Sequence, residues 1–386
     1  MSLIINNLVK KSLFNQLRLL PQFQHLYSPG ALGIDGYLSS RKRTREQFSN
    51  LNDKFLEKMQ QFVEDERNLI FTEDLKNMVH MAEPTDLKLV QDMIKKFNTQ
   101  KSEFRFGSFV FGPVVMRMFY FLDAPKEALE SFYTPENNGF YDQLVSYQIL
   151  LDLLYNNQLY EEMYKLFDVV QEKQLNMTKY PKYPVVLILA ACYKQNTPQS
   201  YQYAKKLWSE MTNFGTVPLR RACTFFAGLA LKQGEPHVAL ESLSSQRHHY
   251  VTIRNIKAMC LADLGRVEDV IPVLRQVLDV DRPEEKDKHT FFGETIAKVR
   301  KAIVAADNKD ILLEFEKIEK SLKDHGLIDT QVNIEEIVFT AGRRGVAREA
   351  WRSLPLRHFR IIGFNLWVIA HKKHGYLEKI TREGPL

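Results

Sequence analysis

A repeat of about 35 residues constrains the fold of this chain more than any other feature of its sequence. Within Leu144–Thr178, two short stretches have apolar residues at steps of three and four, and Asn156-Asn157 separates them. This spacing predicts two helices, each with one apolar face, joined by a turn. The apolar faces consist of Tyr147, Leu150, Leu151 and Leu154 in the first helix and of Met163, Leu166, Phe167 and Val170 in the second.

Comparable segments occur before and after this hairpin. They are Ala128–Gly139, Ala204–Pro218, Lys232–Leu243 and Leu264–Leu274. Helices of this length are unstable alone, so each hairpin must bury its apolar faces against neighbouring hairpins. The sequence therefore predicts a stacked array of helix pairs, a solenoid. The alternative is an irregular all-helical domain.

The segment Ala204–Pro218 resembles the second-helix signature of pentatricopeptide repeats, and Val145–Phe167 resembles most of one repeat. The resemblance extends over residues 70–325 and fades at both ends. It implies an all-α fold, a right-handed superhelical solenoid of helix-turn-helix repeats. It also implies a protein that binds single-stranded RNA along its first helices, since repeats of this kind offer each base a side chain near the start of the first helix.

The same resemblance implies which residues would read the bases, namely one near the start of each first helix and the last residue of the unit. The corresponding pairs are Gln148 with Thr178, Thr224 with Tyr250, Asn255 with Glu285, Pro113 with Gln143, and Val186 with Leu219. Only Thr224 and Asn255 belong to the usual Thr, Ser or Asn type. We therefore expect no simple base-by-base code.

Four cations adjoin these positions, and they favour RNA contact that tolerates many sequences. They are Arg220, Arg221, Arg254 and Lys257. Such residues supply salt-dependent affinity through the phosphates. The alternative is that they form an ordinary solvated face.

The net charge of +6 is unevenly distributed. Residues 1–34 carry three Lys or Arg and no acid, and residues 340–386 carry ten Lys or Arg against three Glu, so −4 remains for the chain between them. An RNA surface on the array must therefore be a local basic patch.

Residues 1–30 have the amphipathic, cationic and acid-free pattern of a mitochondrial presequence, which predicts the matrix as the location. Residues 31–70 read as a basic linker and a leading helix, the linker being a flexible stretch within Ser28–Arg45. Residues 71–285 form the predicted repeat array, 286–330 a closing helical pair, and 331–386 a basic extension. Arginines alternate with aromatic residues in that extension, a pattern that suits RNA or a docked helix.

The sequence gives no sign of catalysis, of a metal site or of a cofactor. Cys192, Cys223 and Cys260 fall one to a first helix in three repeats, without the spacing of metal ligands, and are expected to be buried. The histidine pairs His248-His249 and His371–His374 lack accompanying Cys or carboxylates at zinc-site spacing. Nucleotide-binding, hydrolase, metalloprotease and deaminase motifs are missing, and no apolar run is long enough for a membrane span.

The family resemblance implies a mitochondrial RNA-binding repeat protein that takes part in RNA processing and so in expression of the respiratory chain. Its expected partners are mitochondrial RNA and, through it, the mitochondrial ribosome or RNA-processing proteins. Two alternatives stay open. The first is a structural protein of the mitochondrial small ribosomal subunit, where a related repeat protein occurs. The second is a scaffold that binds protein segments in its groove.

Overall fold

A computed structural model describes residues 26–100, 109–244, 246, 250–278, 290–330 and 333–335. Most of the predicted presequence, residue Glu285, the histidine pairs and nearly all of the predicted basic extension lie outside these residues. Within the described part, the regular secondary structure is helical apart from two strands of two residues each. No described helix is both long and apolar enough to cross a lipid bilayer.

Five α-helices precede the clearest repeats. They are α1 (Pro29–Leu32), α2 (Ile34–Gln47), α3 (Asn52–Glu64), α4 (Thr72–Met81) and α5 (Leu87–Thr99). Helices α4 and α5 pack against each other at the start of the predicted array.

Five helix pairs follow. They are α6 (Gly112–Phe121) with α7 (Pro125–Tyr133), α8 (Leu144–Asn156) with α9 (Tyr160–Lys173), α10 (Lys182–Gln195) with α11 (Pro198–Asn213), α12 (Arg220–Lys232) with α13 (Pro236–Leu243), and α14 (Val251–Asp263) with α15 (Val267–Arg275). Short 3-10 turns lie at Pro84–Asp86, Pro135–Asn137 and Leu175–Met177.

The closing pair consists of α16 (Gly293–Ala305) and α17 (Lys309–Asp324). Two strands bracket this pair, β1 (Phe291–Phe292) and β2 (Ile328–Asp329), and they run parallel with Phe291 opposite Ile328. The strands therefore tie the start of the closing pair to its end.

The packing confirms the predicted solenoid of helix-turn-helix repeats. Each first helix, from α4 through α6, α8, α10, α12 and α14 to α16, packs against its own second helix and against the next first helix. We call this series the first-helix row. The right-handed superhelical twist stays a prediction.

The predicted apolar faces form the core of this array. The two stripes of the Leu144–Thr178 hairpin are fully buried, and Trp208 of α11 stacks on Phe226 of α12 with ring centroids 4.5 Å apart. Helix α10 is buried at every residue from Pro184 to Tyr193, as expected for a helix that is apolar all round and lies inside the array. The three cysteines lie on α10, α12 and α14, where they are free and buried as expected.

The prediction of a flexible linker over Ser28–Arg45 is wrong, because this stretch forms α1 and most of α2. Arg41, in the predicted basic cluster, is only 4% exposed. Its guanidinium donates to the carbonyl oxygens of His80 at 3.1 Å and Ala82 at 2.7 Å, and to the Glu83 carboxylate at 2.8 Å. The end of α4 has carbonyl groups without helical partners, and a cation satisfies them.

We predict that Arg41→Ala loosens α2, while Arg43→Ala, an exposed arginine on the same helix, does not. Two buried carbonyls lose their donor in the first variant, which should cost about 2–3 kcal/mol of local stability. Limited trypsin digestion of the intact chain measures this as faster cleavage at Lys42 and Arg45. Equal cleavage rates in the two variants would contradict the anchoring role of Arg41.

Candidate nucleic-acid interface

Positive charge is concentrated in the first helices of the array. The five first helices from α6 to α14 carry eight Arg or Lys and two Asp, a formal charge of +6. The five second helices from α7 to α15 carry six Arg or Lys and ten Asp or Glu, a formal charge of −4. The net positive charge of the array therefore lies in the row where the repeat geometry would place RNA.

Two of these cations lie at the beginnings of adjacent helices, and a third lies in the second turn of the next first helix. Lys182 and Arg220 are exposed in the first turns of α10 and α12, and Lys257 is half-buried on α14. The three helices pack side by side in the first-helix row. A helix N-terminus adds partial positive charge of its own, so this end of the row favours anions such as phosphate.

Arg220 lies against an aromatic ring from the next repeat. Its guanidinium carbon is 4.0 Å from the centroid of Tyr250, whose side chain is 43% exposed. Thr224, one turn further along α12, donates its hydroxyl to the Arg220 carbonyl at 3.0 Å and is buried. The predicted reading pair Thr224 and Tyr250 is thus joined by Arg220, a cation with a flat face suited to stacking.

Two other predicted residues lie on either side of the α8–α9 hairpin. Gln148 is half-buried on α8, and Thr178 is half-buried after the 3-10 turn that follows α9. Their partial exposure leaves both accessible to a ligand along the row.

Asn255 and Arg254 on α14 lie in the interior. Asn255 is fully buried; its amide donates to the carbonyls of Val251 and Thr290, and its oxygen accepts the N–H of Phe292 at 2.9 Å. Arg254 is 3% exposed and lies over the ring of Phe291. Since both side chains hold the strand β1 against α14, we leave them out of the interface proposed below.

An N-terminal segment crosses the first-helix row. We call Leu26–Leu32 the strap. Arg221 of α12 donates to the Leu26 carbonyl at 2.7 Å, and Arg117 of α6 donates to the Leu32 carbonyl at 2.8 Å. The hydroxyl of Tyr27 donates to the carbonyl of Tyr183, at the start of α10, at 3.3 Å. The strap thus touches α6, α10 and α12, and α1 also packs against α8.

A carboxylate lies buried on the same side of α8. Asp152 is 0% exposed, and its Oδ2 accepts the hydroxyl of Tyr120 at 2.9 Å and the amide of Asn156 at 3.3 Å. Its Oδ1, the Tyr155 hydroxyl and Nη2 of Arg221 have no hydrogen-bond partner among the described residues. Each buried polar atom left in this way costs about 1–3 kcal/mol.

Burial shifts the titration of these groups. Desolvation raises the pKa of Asp152 from its ordinary 3.8 to about 7, although the hydrogen bonds from Tyr120 and Asn156 and the charge of Arg221 oppose the shift. Desolvation likewise lowers the pKa of Arg221 and of Arg117. The row under the strap therefore holds charged groups that have lost most of their contact with water.

Sequence reasoning missed Arg117, Asp152 and the strap. A signal was available for the first two, because each is the only charged residue in an otherwise apolar helix. A single charged residue in an apolar helix is more often buried with a partner than exposed on the surface. Nothing in the pattern of Leu26–Leu32 indicates that it crosses the row.

Stacked helix pairs, with each first helix packed against the next, define a helical-repeat protein of the solenoid class. No family model matches the chain. Among curated proteins it is similar to pentatricopeptide repeat-containing protein 2, mitochondrial, of mouse, with 27% identity over 330 residues that cover 84% of this chain and 78% of the mouse protein.

The human protein of the same name is 27% identical over 295 residues, covering 76% of this chain and 72% of its own. The zebrafish protein is 26% identical over 311 residues, covering 79% and 78%. The chain is therefore a distant homologue of vertebrate pentatricopeptide repeat-containing protein 2 over most of its length.

We predict that Asp152→Asn stabilises the protein at pH 8 by about 2 kcal/mol and by much less at pH 4. Between pH 3.8 and about 7 the folded state binds more protons at Asp152 than the unfolded state, so stability falls as pH rises through this window. Thermal unfolding of both proteins at the two pH values measures the effect. A difference that does not change with pH would contradict the raised pKa of Asp152.

Proposed function

We propose that this chain is a mitochondrial RNA-binding repeat protein that takes part in the processing and maturation of mitochondrial transcripts in the matrix, and so in expression of the respiratory chain. The observation that carries the proposal is the separation of charge between the two rows, +6 on five first helices and −4 on five second helices. A single strand laid along the first-helix row would meet cations, and one on the second-helix row would meet an acidic surface.

Binding would combine phosphate contacts with stacking. Lys182, Arg220 and Lys257 supply phosphate partners, and the flat pair of Arg220 and Tyr250 offers a surface on which a base can stack. Phosphate contacts are independent of base identity. We therefore propose affinity that depends strongly on salt and weakly on RNA sequence.

The proposed protein acts by binding and leaves chemistry to other RNA-processing proteins. The family resemblance implies such a role, and no group of three or more metal-ligating side chains occurs within the described ranges. The vertebrate relatives are named as mitochondrial proteins, and residues 1–30 have the composition of a presequence, which together support the mitochondrial location.

A structural role in the mitochondrial small ribosomal subunit is the second candidate. It is favoured by the departure of Pro113, Val186 and Gln148 from the residue types that read bases, together with the burial of Asn255. A protein that holds folded ribosomal RNA by its backbone needs no base code.

We predict that Arg220→Ala with Lys182→Ala weakens binding of single-stranded RNA about tenfold and lowers the slope of log affinity against log salt by one to two units, because about two phosphate contacts are lost. The matched control is Lys205→Ala with Lys206→Ala, two exposed lysines on the second helix α11. Fluorescence anisotropy at about 50 to 200 mM salt measures both. Equal losses of RNA affinity in the two variants would contradict binding at the first-helix row.

Gradient sedimentation of mitochondrial lysate, combined with RNA crosslinking, separates the two candidates. We expect the protein to sediment apart from the small subunit and to crosslink to precursor transcripts. Co-migration with the small subunit and crosslinks to ribosomal RNA alone would contradict the processing role and select the ribosomal one.

A further inference from the structure

The strap lies on the face of the first-helix row that carries the predicted base-reading positions. Arg117 is one helical turn after Pro113, and Asp152 is one turn after Gln148. Residues three or four apart share one helical face. On the next two helices, Tyr183 and Arg221 come one turn before Val186 and Thr224. Strap contacts at Arg117, Tyr183 and Arg221 therefore fall beside reading positions on three helices.

We propose that the strap Leu26–Leu32 is an internal competitor of RNA, which occupies the first-helix row and must be displaced before a strand binds along it. The inference rests on the proposed function, because it describes how RNA binding at the same surface is regulated. Its intramolecular occupant is a described segment of this chain, and its external ligand is the phosphate backbone of a single-stranded RNA. Because the strap overlaps the predicted presequence of residues 1–30, the proposal requires that a presequence be cut before Leu26, and the burial of Leu26 and Tyr27 against the array fits such a cut.

The bonds that hold the strap are of the kind that phosphate would replace. Arg117 and Arg221 each donate to a carbonyl oxygen of the strap backbone. Guanidinium groups bind phosphate oxygens more strongly than neutral carbonyls, because the acceptor is charged and two parallel bonds are available. RNA would therefore gain these two arginines when the strap leaves, and the two strap carbonyls would exchange their guanidinium donors for water.

While the strap is in place, three buried polar atoms near it lack hydrogen-bond partners. Tyr27 of the strap lies with its ring centroid 5.7 Å from the guanidinium carbon of Arg221. Nη2 of that arginine, Oδ1 of Asp152 and the hydroxyl of Tyr155 have no hydrogen-bond partner within the described part of the chain. Opening the strap returns these atoms to water or to a ligand, which lowers the net cost of displacement.

Gly33 offers a pivot at the end of the strap. Gly33 has φ +71°, in the left-handed region that glycine adopts readily, and it separates α1 from α2. On its far side, Arg41 and the hydroxyl of Tyr37, which donates to the Val79 carbonyl at 2.9 Å, fix α2 to α4. The strap can therefore swing about Gly33 while α2 stays in place.

Apolar burial opposes the opening. Leu26 and Leu32 are 0% and 2% exposed, whereas Pro29, Gly30 and Ala31 face outward. The strap therefore closes through two leucines, and the apparent affinity for RNA is reduced by the fraction of molecules that remain closed. Weakening the two leucines should raise that affinity.

The test compares two double variants of the full chain. Leu26→Ser with Leu32→Ser removes the buried contacts of the strap, and Ala31→Ser with Leu38→Ser changes outward-facing residues of α1 and α2 as a control. We expect the first variant to bind a single-stranded RNA of mixed sequence about threefold to tenfold more tightly than the unchanged chain, and the control to match the unchanged chain. Weaker or unchanged binding by a leucine variant that keeps its helical circular dichroism would overturn the inference.

Hydrogen exchange on the unchanged protein gives an independent readout. The amides of Ala31, Leu32 and Gly33 bond to carbonyls within the strap, to Ser28 and Gly30. We expect RNA to speed exchange at these amides while it slows exchange in α10 and α12. RNA binding with slowed or unchanged strap exchange would overturn the competitor and leave the proposed function standing, whereas failure of every form to bind RNA would overturn the proposed function itself.

Discussion

The contact of each first helix with the next is the interaction on which the rest of the structure depends. None of these helices is long enough to be stable alone, and the hairpins acquire a core only by stacking. Helix α10 shows the result, since its residues are buried without interruption from Pro184 to Tyr193. The interior of a row built in this way holds few polar groups. Each buried polar group either forms hydrogen bonds or lowers the stability of the fold.

The chemistry of the surface follows from that constraint. The second helices carry most of the acids, and the first helices carry cations at their ends and at the half-buried positions Arg117 and Arg221. Each of these two arginines donates one hydrogen bond to a backbone carbonyl of the strap. The first-helix row thus provides both the packing of the array and the cations proposed to bind RNA. The strap and RNA therefore compete for one face of this row.

The sequence was sufficient for the repeat architecture because periodic burial leaves a periodic pattern. The stripes of the α8–α9 hairpin, the turn after Asn156 and the cysteines on first helices all followed from spacing. Contacts between distant segments leave no such pattern. Arg41 looked like part of a charged linker because its partners, the carbonyls of His80 and Ala82, are chosen by tertiary packing, and the use of Asn255 to hold β1 depends on a strand two residues long.

The most direct test of this account is ultraviolet crosslinking of the full chain to a single-stranded RNA, followed by mass spectrometry of the crosslinked peptides. The account predicts crosslinks on the first helices from α6 to α14 and at Tyr250, and few on the acidic second helices from α7 to α15. Crosslinks concentrated on the second helices, or spread evenly over both rows, would contradict it.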